Sequence, residues 1–322
     1  MYAVYDKWPE IARESFESDQ DSINFDGIDH IVFAGMGGSG TIGDVFSAIL
    51  SRTKIHVTVV KGYLLPKTVN SNTLVILTSV SGNTKETLAI LEAAKNLKCK
   101  IIAFSSGGKM KKFCLKNNIE HRTVLEYHSS RGSFTSYLYT ILKVLYSTLK
   151  IKNRDILDSI KELEYINQKI NSSNLRENNP SLKIANWITD IPIIYYPFGL
   201  QSAAIRFKNS LQENAKNHAM IEDIIEASHN GIVPWREKSS LQPILIQGVD
   251  DYIKTKERWK IIQKFFDSEN IDYEIIKSDN KSILGKVVNL IYLLDYASIY
   301  LAVMKNIDPS PVEPIFFVKS FI

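Results

Sequence analysis

Two short segments carry the residue types that hold an anion. Gly35-Met36-Gly37-Gly38-Ser39-Gly40 follows the β-branched run His30–Ala34, and Ser79-Val80-Ser81-Gly82-Asn83-Thr84 follows Thr73–Leu77. A helix is expected directly after each loop. Hydroxyl side chains and free backbone N–H groups then converge at the positive end of a helix dipole. That is the environment a phosphate dianion needs when no guanidinium is supplied. The candidates are Gly38 and Ser39 in the first loop and Ser79, Ser81 and Thr84 in the second. Ordinary capping of the next helix by Ser81, Asn83 or Thr84 is the plainer alternative. Ser105-Ser106-Gly107-Gly108 repeats the theme more weakly and is taken as structural.

The first loop also fits G-x-G-x-x-G, so a dinucleotide has to be weighed. That fold needs an acidic residue about 20 positions on, at the end of the second strand, for the ribose hydroxyls. No Asp or Glu occurs between Asp44 and Glu86, which disfavours NAD. Lys61 leaves a weaker opening for the 2′-phosphate of NADP. A monophosphate suits the pair of loops better, and no cofactor is expected.

The elements that must position these loops follow a regular order. Strands are expected at His30–Ala34, Ile55–Val60, Thr73–Leu77, Lys100–Phe104 and Ile119–Val124. Helices are expected near Ser39–Ser51, Thr84–Leu97 and Lys109–Asn117. Apolar strands without polar alternation are covered on both faces, hence parallel with crossover helices. Helices Phe134–Leu149 and Asp155–Ile170 follow, then the polar stretch Asn171–Pro180. The strand–helix alternation then returns, from Ile191–Tyr196 to the long helix Ile283–Met304. The expected class is α/β, with two doubly wound parallel-sheet domains and covering helices. The expected division is 1–150, a helical linker over 151–180, and 181–322.

Composition excludes several classes. The chain has 322 residues, 44% hydrophobic and 23% charged, ordinary for a globular protein with room for two cores. A formal charge of +4 is too small for a nucleic-acid binder. Two cysteines, Cys99 and Cys114, are too few for a disulfide framework or a thiolate zinc site. The N-terminus lacks the apolar run of a signal peptide, and Asp295 interrupts the apolar stretch Leu290–Met304. No membrane association and a cytoplasmic location are expected.

The two loops resemble those of the sugar isomerase (SIS) domain. Three further stretches narrow the match: Lys208-Asn-Ser-Leu-Gln-Glu-Asn-Ala-Lys216, Glu226-Ala-Ser-His-Asn230, and Asp308-Pro-Ser-Pro-Val312 with Lys319. Together they resemble the bifunctional phosphoglucose/phosphomannose isomerases. The resemblance implies metal-independent aldose–ketose isomerisation of glucose 6-phosphate, and of mannose 6-phosphate, to fructose 6-phosphate through a cis-enediol. A weak carboxylate base near C2 and a fixed cation for the developing oxyanion suit that chemistry.

By resemblance Glu213 is the base, His229 the ring-opening acid–base group, Lys319 its assistant and Arg131 the enediolate stabiliser. No metal is called for. A homodimer is implied, with the active site at the subunit interface. On spacing alone the same residues have plainer readings. Glu213 pairs with Lys216 at i+3 on a solvated face, His229 is an exposed turn histidine, Lys319 caps a last helix, and Arg131 is a surface residue. Other functions kept open are an SIS-type isomerase or deaminase for amino-sugar phosphates and a non-catalytic sugar-phosphate sensor. A metal-dependent isomerase would need a ligand cluster, for which His121, Glu126 and His128 are the only nearby set.

Overall fold

In the computed structural model, residues 1–279 and 282–321 are described. The elements run α1 (Tyr2–Asp6), α2 (Trp8–Phe16), β1 (His30–Ala34), α3 (Gly37–Leu50), β2 (His56–Val60), β3 (Thr73–Thr78), α4 (Lys85–Lys95) and β4 (Lys100–Ser105). They continue with α5 (Gly108–Lys116), β5 (Glu120–Thr123), α6 (Phe134–Leu149), α7 (Asn153–Ile170), α8 (Pro180–Trp187), β6 (Ile191–Tyr196) and α9 (Gln201–Asn214). The remainder are β7 (Met220–Asp223), α10 (Ile224–Ala227), β8 (Leu241–Gly248), α11 (Ile253–Ser268), β9 (Glu274–Ser278), α12 (Ile283–Met304) and α13 (Glu313–Ser320). The class is α/β, as expected.

The chain divides into two compact units. One holds Val4–Glu164 with Ser282–Gly285, and the other holds Met1–Ala3, Tyr165–Lys281 and Lys286–Ile322. In the first unit five parallel strands are ordered β2-β1-β3-β4-β5. The order reverses between β1 and β3, which is where a doubly wound sheet opens a crevice at its carboxyl edge. Ala34 and Leu77, the register partners at that edge, lead into the two glycine-containing loops.

Both faces of this sheet are covered. Val32, Ala34, Val75 and Leu77 pack with Ile90, Leu91 and Ala94 of α4 and with Met110 and Cys114 of α5. On the other face Phe33 stacks on Phe46 of α3, ring centroids 4.9 Å apart. Strands buried on both sides explain the unbroken apolar runs. Trp8 of α2, fully buried, donates its Nε1 to the carbonyl of Gly132 at 2.9 Å. Helix α2 lies in a stretch the strand–helix pattern did not assign.

The second unit carries four parallel strands ordered β7-β6-β8-β9. Its apolar cluster joins Ile193, Tyr195 and Leu245 to Trp259, Ile262 and Phe266 of α11. Pro180, at the end of the polar stretch Asn171–Pro180, begins α8. A proline fits the first turn because its missing N–H has no partner to lose. Asn179 caps the helix by accepting from the N–H groups of Ser181 and Leu182. Helix α12 is long and apolar enough to span a membrane by composition, but 83% of its most apolar stretch is buried within the fold.

Candidate active site

The first loop leaves β1 in a tight path into α3. A Cβ on Gly35 would stand 2.9 Å from the carbonyl oxygen of Thr78 and 3.0 Å from the Ser39 backbone. The two loops therefore abut at the switch point of the sheet. Gly38 and Ser39 lie in the first turn of α3, with Ser39 buried. Met36 holds the N-cap in an extended conformation and makes no side-chain cap bond. Lys61, weighed above for a 2′-phosphate, pairs instead with Asp44 at 2.5 Å. Burial raises the Asp44 carboxyl, and the Lys61 ammonium opposes that shift.

The second loop is braced from below. Ser79 is buried, its N–H donates to Phe104 at 3.0 Å, and its hydroxyl meets that of Thr84 at 2.9 Å. Thr84 stands at the N-cap of α4 yet makes no side-chain cap bond. Ser81 is exposed, and its Oγ accepts from the N–H of Asn83 at 3.2 Å. The hydroxyls thus do not act as caps of α4, and they stand beside its positive end.

The Ser105–Gly108 loop serves as the brace. Ser106 donates its N–H and its hydroxyl to the Val80 carbonyl, at 3.0 and 2.7 Å. Asn83 Oδ1 accepts from the N–H of Lys109 at 3.0 Å. Gly82 has φ +65°, and a Cβ there would lie 2.0 Å from the Gly107 carbonyl oxygen. Gly37 also has positive φ, +53°, but faces open space. Gly37→Ala should therefore cost only the left-handed strain of about 1–2 kcal/mol. Gly82→Ala should cost clearly more and weaken phosphate binding, because backbone must move. Thermal melts and KM values of the two variants check this order.

Behind the brace, His121 Nε2 lies 2.8 Å from Ser105 Oγ. Burial, with Lys111 adding to it, holds this imidazole down at about 4. Glu126 and His128 are exposed.

Arg131 is not a surface residue. It is 4% exposed, in the turn before α6. That turn is tied by Ser133, whose Oγ accepts from the N–H of Tyr127 at 2.8 Å and donates to the carbonyl of Ser129 at 2.8 Å.

Glu213 is the penultimate residue of α9 and is half-buried. Lys216, at i+3 from Glu213, donates its Nζ to the backbone carbonyls of Glu213 and Pro311, each at 2.7 Å. The Asp308–Val312 stretch is thereby tied to the end of α9. Helix α9 itself is held by a buried polar ladder. Arg206 reaches Asp295 of α12 through Nη2 at 2.7 Å and Nε at 3.0 Å. Ser210 donates to the same carboxylate at 2.5 Å, and Asn214 Nδ2 to Ser298 Oγ at 2.8 Å. Arg206 and Asp295 are 2% and 0% exposed. Arg206 and Ser210 precede Glu213 on the same helix, and nothing local in the sequence supplies their partner. Asp295, a charge inside an apolar helix, was the available signal.

His229 follows α10, whose N-cap is Asp223, accepting from the N–H groups of Ile225 and Glu226. The imidazole is exposed in a turn closed by its own N–H donating to the Glu226 carbonyl at 2.9 Å. Close by, burial and the charges of Glu226 and Asp223 raise the Glu222 carboxyl. Lys319 is exposed in the last turn of α13, a helix with no buried residue. Among the described residues neither the His229 nor the Lys319 side chain forms a hydrogen bond or ion pair. The structure brings the two glycine- and hydroxyl-containing loops together at the switch point.

Comparison with known proteins gives a consistent picture. Residues 26–143 match the SIS domain, and residues 177–322 match the bacterial phospho-glucose isomerase C-terminal SIS domain. The bifunctional phosphoglucose/phosphomannose isomerase of Caldicellulosiruptor bescii is 31% identical, covering 97% of this chain and 96% of its own. The D-glucosamine-6-phosphate 4-epimerase of Sulfolobus acidocaldarius is 30% identical, covering 95% of this chain and 93% of its own. Among solved structures, the C-terminal domain of glucosamine-fructose-6-phosphate aminotransferase from Francisella tularensis superposes with TM-score 0.73. That pair shares 16% identity and covers 96% of this chain and 97% of the other, a likeness of fold.

Proposed function

The chain belongs to the bifunctional phosphoglucose/phosphomannose isomerase family, and we propose that it interconverts glucose 6-phosphate and mannose 6-phosphate with fructose 6-phosphate. The observation that carries this reading is the near full-length kinship, in a chain whose paired loops offer a phosphate site at the switch point. Gly38, Ser39, Ser79, Ser81 and Thr84 hold the phosphate. Ring opening falls to His229 with Lys319. Glu213 then takes the C2 proton and returns it at C1 through a cis-enediol, while Arg131 balances the negative charge on the intermediate. A guanidinium suits that task because it stays charged throughout. The route needs no metal, since proton transfer and a fixed cation supply the chemistry.

The same reading makes the protein a homodimer whose active site is completed at the subunit interface. Its support is α13, on which Phe316, Phe317 and Val318 stand 63%, 67% and 57% exposed. So exposed an apolar row is accounted for by a second copy. His229 and Lys319, whose side chains form no hydrogen bond or ion pair among the described residues, then act where the copies meet. A place in cytoplasmic carbohydrate metabolism, in glycolysis and gluconeogenesis, goes with these substrates and with two free cysteines.

A second reading, chemistry on an amino-sugar phosphate, is favoured by the 30% identical D-glucosamine-6-phosphate 4-epimerase. A coupled assay in EDTA separates the two. Fructose 6-phosphate should form from both glucose and mannose 6-phosphates. Failure with both, with turnover of glucosamine 6-phosphate, would move the assignment to the second reading.

Ser81→Ala tests the phosphate loop. Loss of a charge-assisted hydrogen bond of about 1.5–3 kcal/mol should raise KM by roughly tenfold or more. An unchanged KM and unchanged analogue affinity would mean that Ser81 contributes only to the turn.

A further inference from the structure

The sheet of the second unit ends in a polar cavity that none of the steps above uses. Its volume is about 320 Å3, and its lining includes Gln247, Lys256, Trp259, Lys260, Gln263 and Lys277. This size falls within the roughly 300–1,000 Å3 range of small-molecule sites.

The cavity arises from a change of character along one sheet face. Leu245 and Ile275 belong to the apolar cluster against α11. Two residues further along each strand, on the same face, stand Gln247 and Lys277, which are register partners. Where apolar residues would continue the core, an amide and an ammonium occupy the carboxyl edge. Lys256, Trp259, Lys260 and Gln263 close the other wall, their i, i+3, i+4, i+7 spacing placing them on one side of α11.

Gln247 is 9% exposed, and its Nε2 is buried without a hydrogen-bond partner among the described residues. A buried amide donor left unmade carries a desolvation cost that an incoming acceptor relieves. The ammonium groups of Lys256, Lys260 and Lys277 form no ion pair among the described residues. Asp251, beside the cavity, is already engaged. Its carboxylate accepts from the N–H of Gly248 and from Trp259 Nε1, both at 3.1 Å, which fixes the indole in the wall. The cavity thus presents cations and a free donor against one rigid apolar surface.

We propose that this cavity binds the phosphate group of a small phosphorylated metabolite, at a site separate from the Ser39 and Ser79 loops. Gln247 Nε2 donates to a phosphate oxygen, and the three lysines neutralise its charge as mobile point charges. The Trp259 wall receives the apolar body of the ligand.

The test is isothermal titration of the full chain with ADP and, separately, with inorganic pyrophosphate. About one equivalent of each probe should bind per chain. Lys260→Glu combined with Lys277→Glu should weaken that binding by roughly tenfold or more, since two attractive charges become repulsive. Both lysines are exposed, so the double variant should keep the parent melting temperature. Gln247→Leu should also weaken binding, and Ser81→Ala should leave it unchanged. Absence of binding by either probe at millimolar concentration would overturn the proposal. So would binding that survives the double lysine variant or disappears in Ser81→Ala. Isomerase activity, measured on the same samples, reports on the proposed reaction separately.

Discussion

Glu213→Gln is expected to lower kcat for isomerisation by roughly 10²–10⁴-fold while leaving affinity for a non-isomerisable sugar-phosphate analogue within about twofold. The amide keeps the shape and most of the polarity of the side chain but cannot accept the C2 proton. Because the phosphate loops are untouched, ground-state binding should persist and the loss should fall on the chemical step. Helix α9 should also survive the change. It is held by Arg206, Ser210 and Asn214, and the last residue turn is closed by Lys216 on backbone carbonyls. Turnover near that of the parent protein would remove Glu213 from its proposed role. A loss of analogue binding would mean the carboxylate contributes to binding the sugar.

Asp295→Ala should be the most destabilising single change to a side chain outside the proposed reaction steps. It strips the carboxylate from a guanidinium that is 2% exposed and leaves the Ser210 hydroxyl without its acceptor. Breaking a buried pair by removing one partner costs about 3–5 kcal/mol, because the remaining charge stays buried. For a unit of this size that is a fall in Tm on the order of 10 °C. The pair as a whole need not be stabilising, since its desolvation offsets its attraction. Arg206→Met combined with Asp295→Leu should therefore recover much of the loss. A thermal melt of the single and double variants settles the matter. A single-variant change below about 1 kcal/mol would show that Arg206 finds another partner or water.

How much of this was legible in the sequence depended on how local each feature is. The loops were, because a glycine and hydroxyl run between an apolar strand and a helix is contained in ten residues. The capping alternative was equally visible, and only the Ser79–Thr84 contact and the uncapped α4 argue against it. The Ser105–Gly108 segment read as structural, and its bonds to Val80 and Asn83 give that word a content.

Pairings between distant residues were not legible. Asp295 appeared as an interruption in an apolar helix, and Arg206 lies 89 residues away on another helix. Nothing in the chain between them says that they meet. Lys61 looked available to a phosphate until Asp44 was placed against it. Arg131 looked like a surface arginine, since its turn composition is polar, but the Tyr127–Ser133 turn folds it inward. Gln247 and Lys277 stand far apart in the chain, each toward the end of its own strand. Only the register that sets them side by side makes a cavity wall.

The most direct measurement of the central claim starts from the shared ketose. Full-length protein, freed of metal with EDTA, is incubated with fructose 6-phosphate labelled with carbon-13 at C2 and followed by NMR. The proposed isomerisation predicts that label appears at C2 of both glucose 6-phosphate and mannose 6-phosphate, because protonation of the cis-enediol at C2 can occur on either face. A spectrum in which neither aldose grows in, under conditions where the protein is folded, would contradict it.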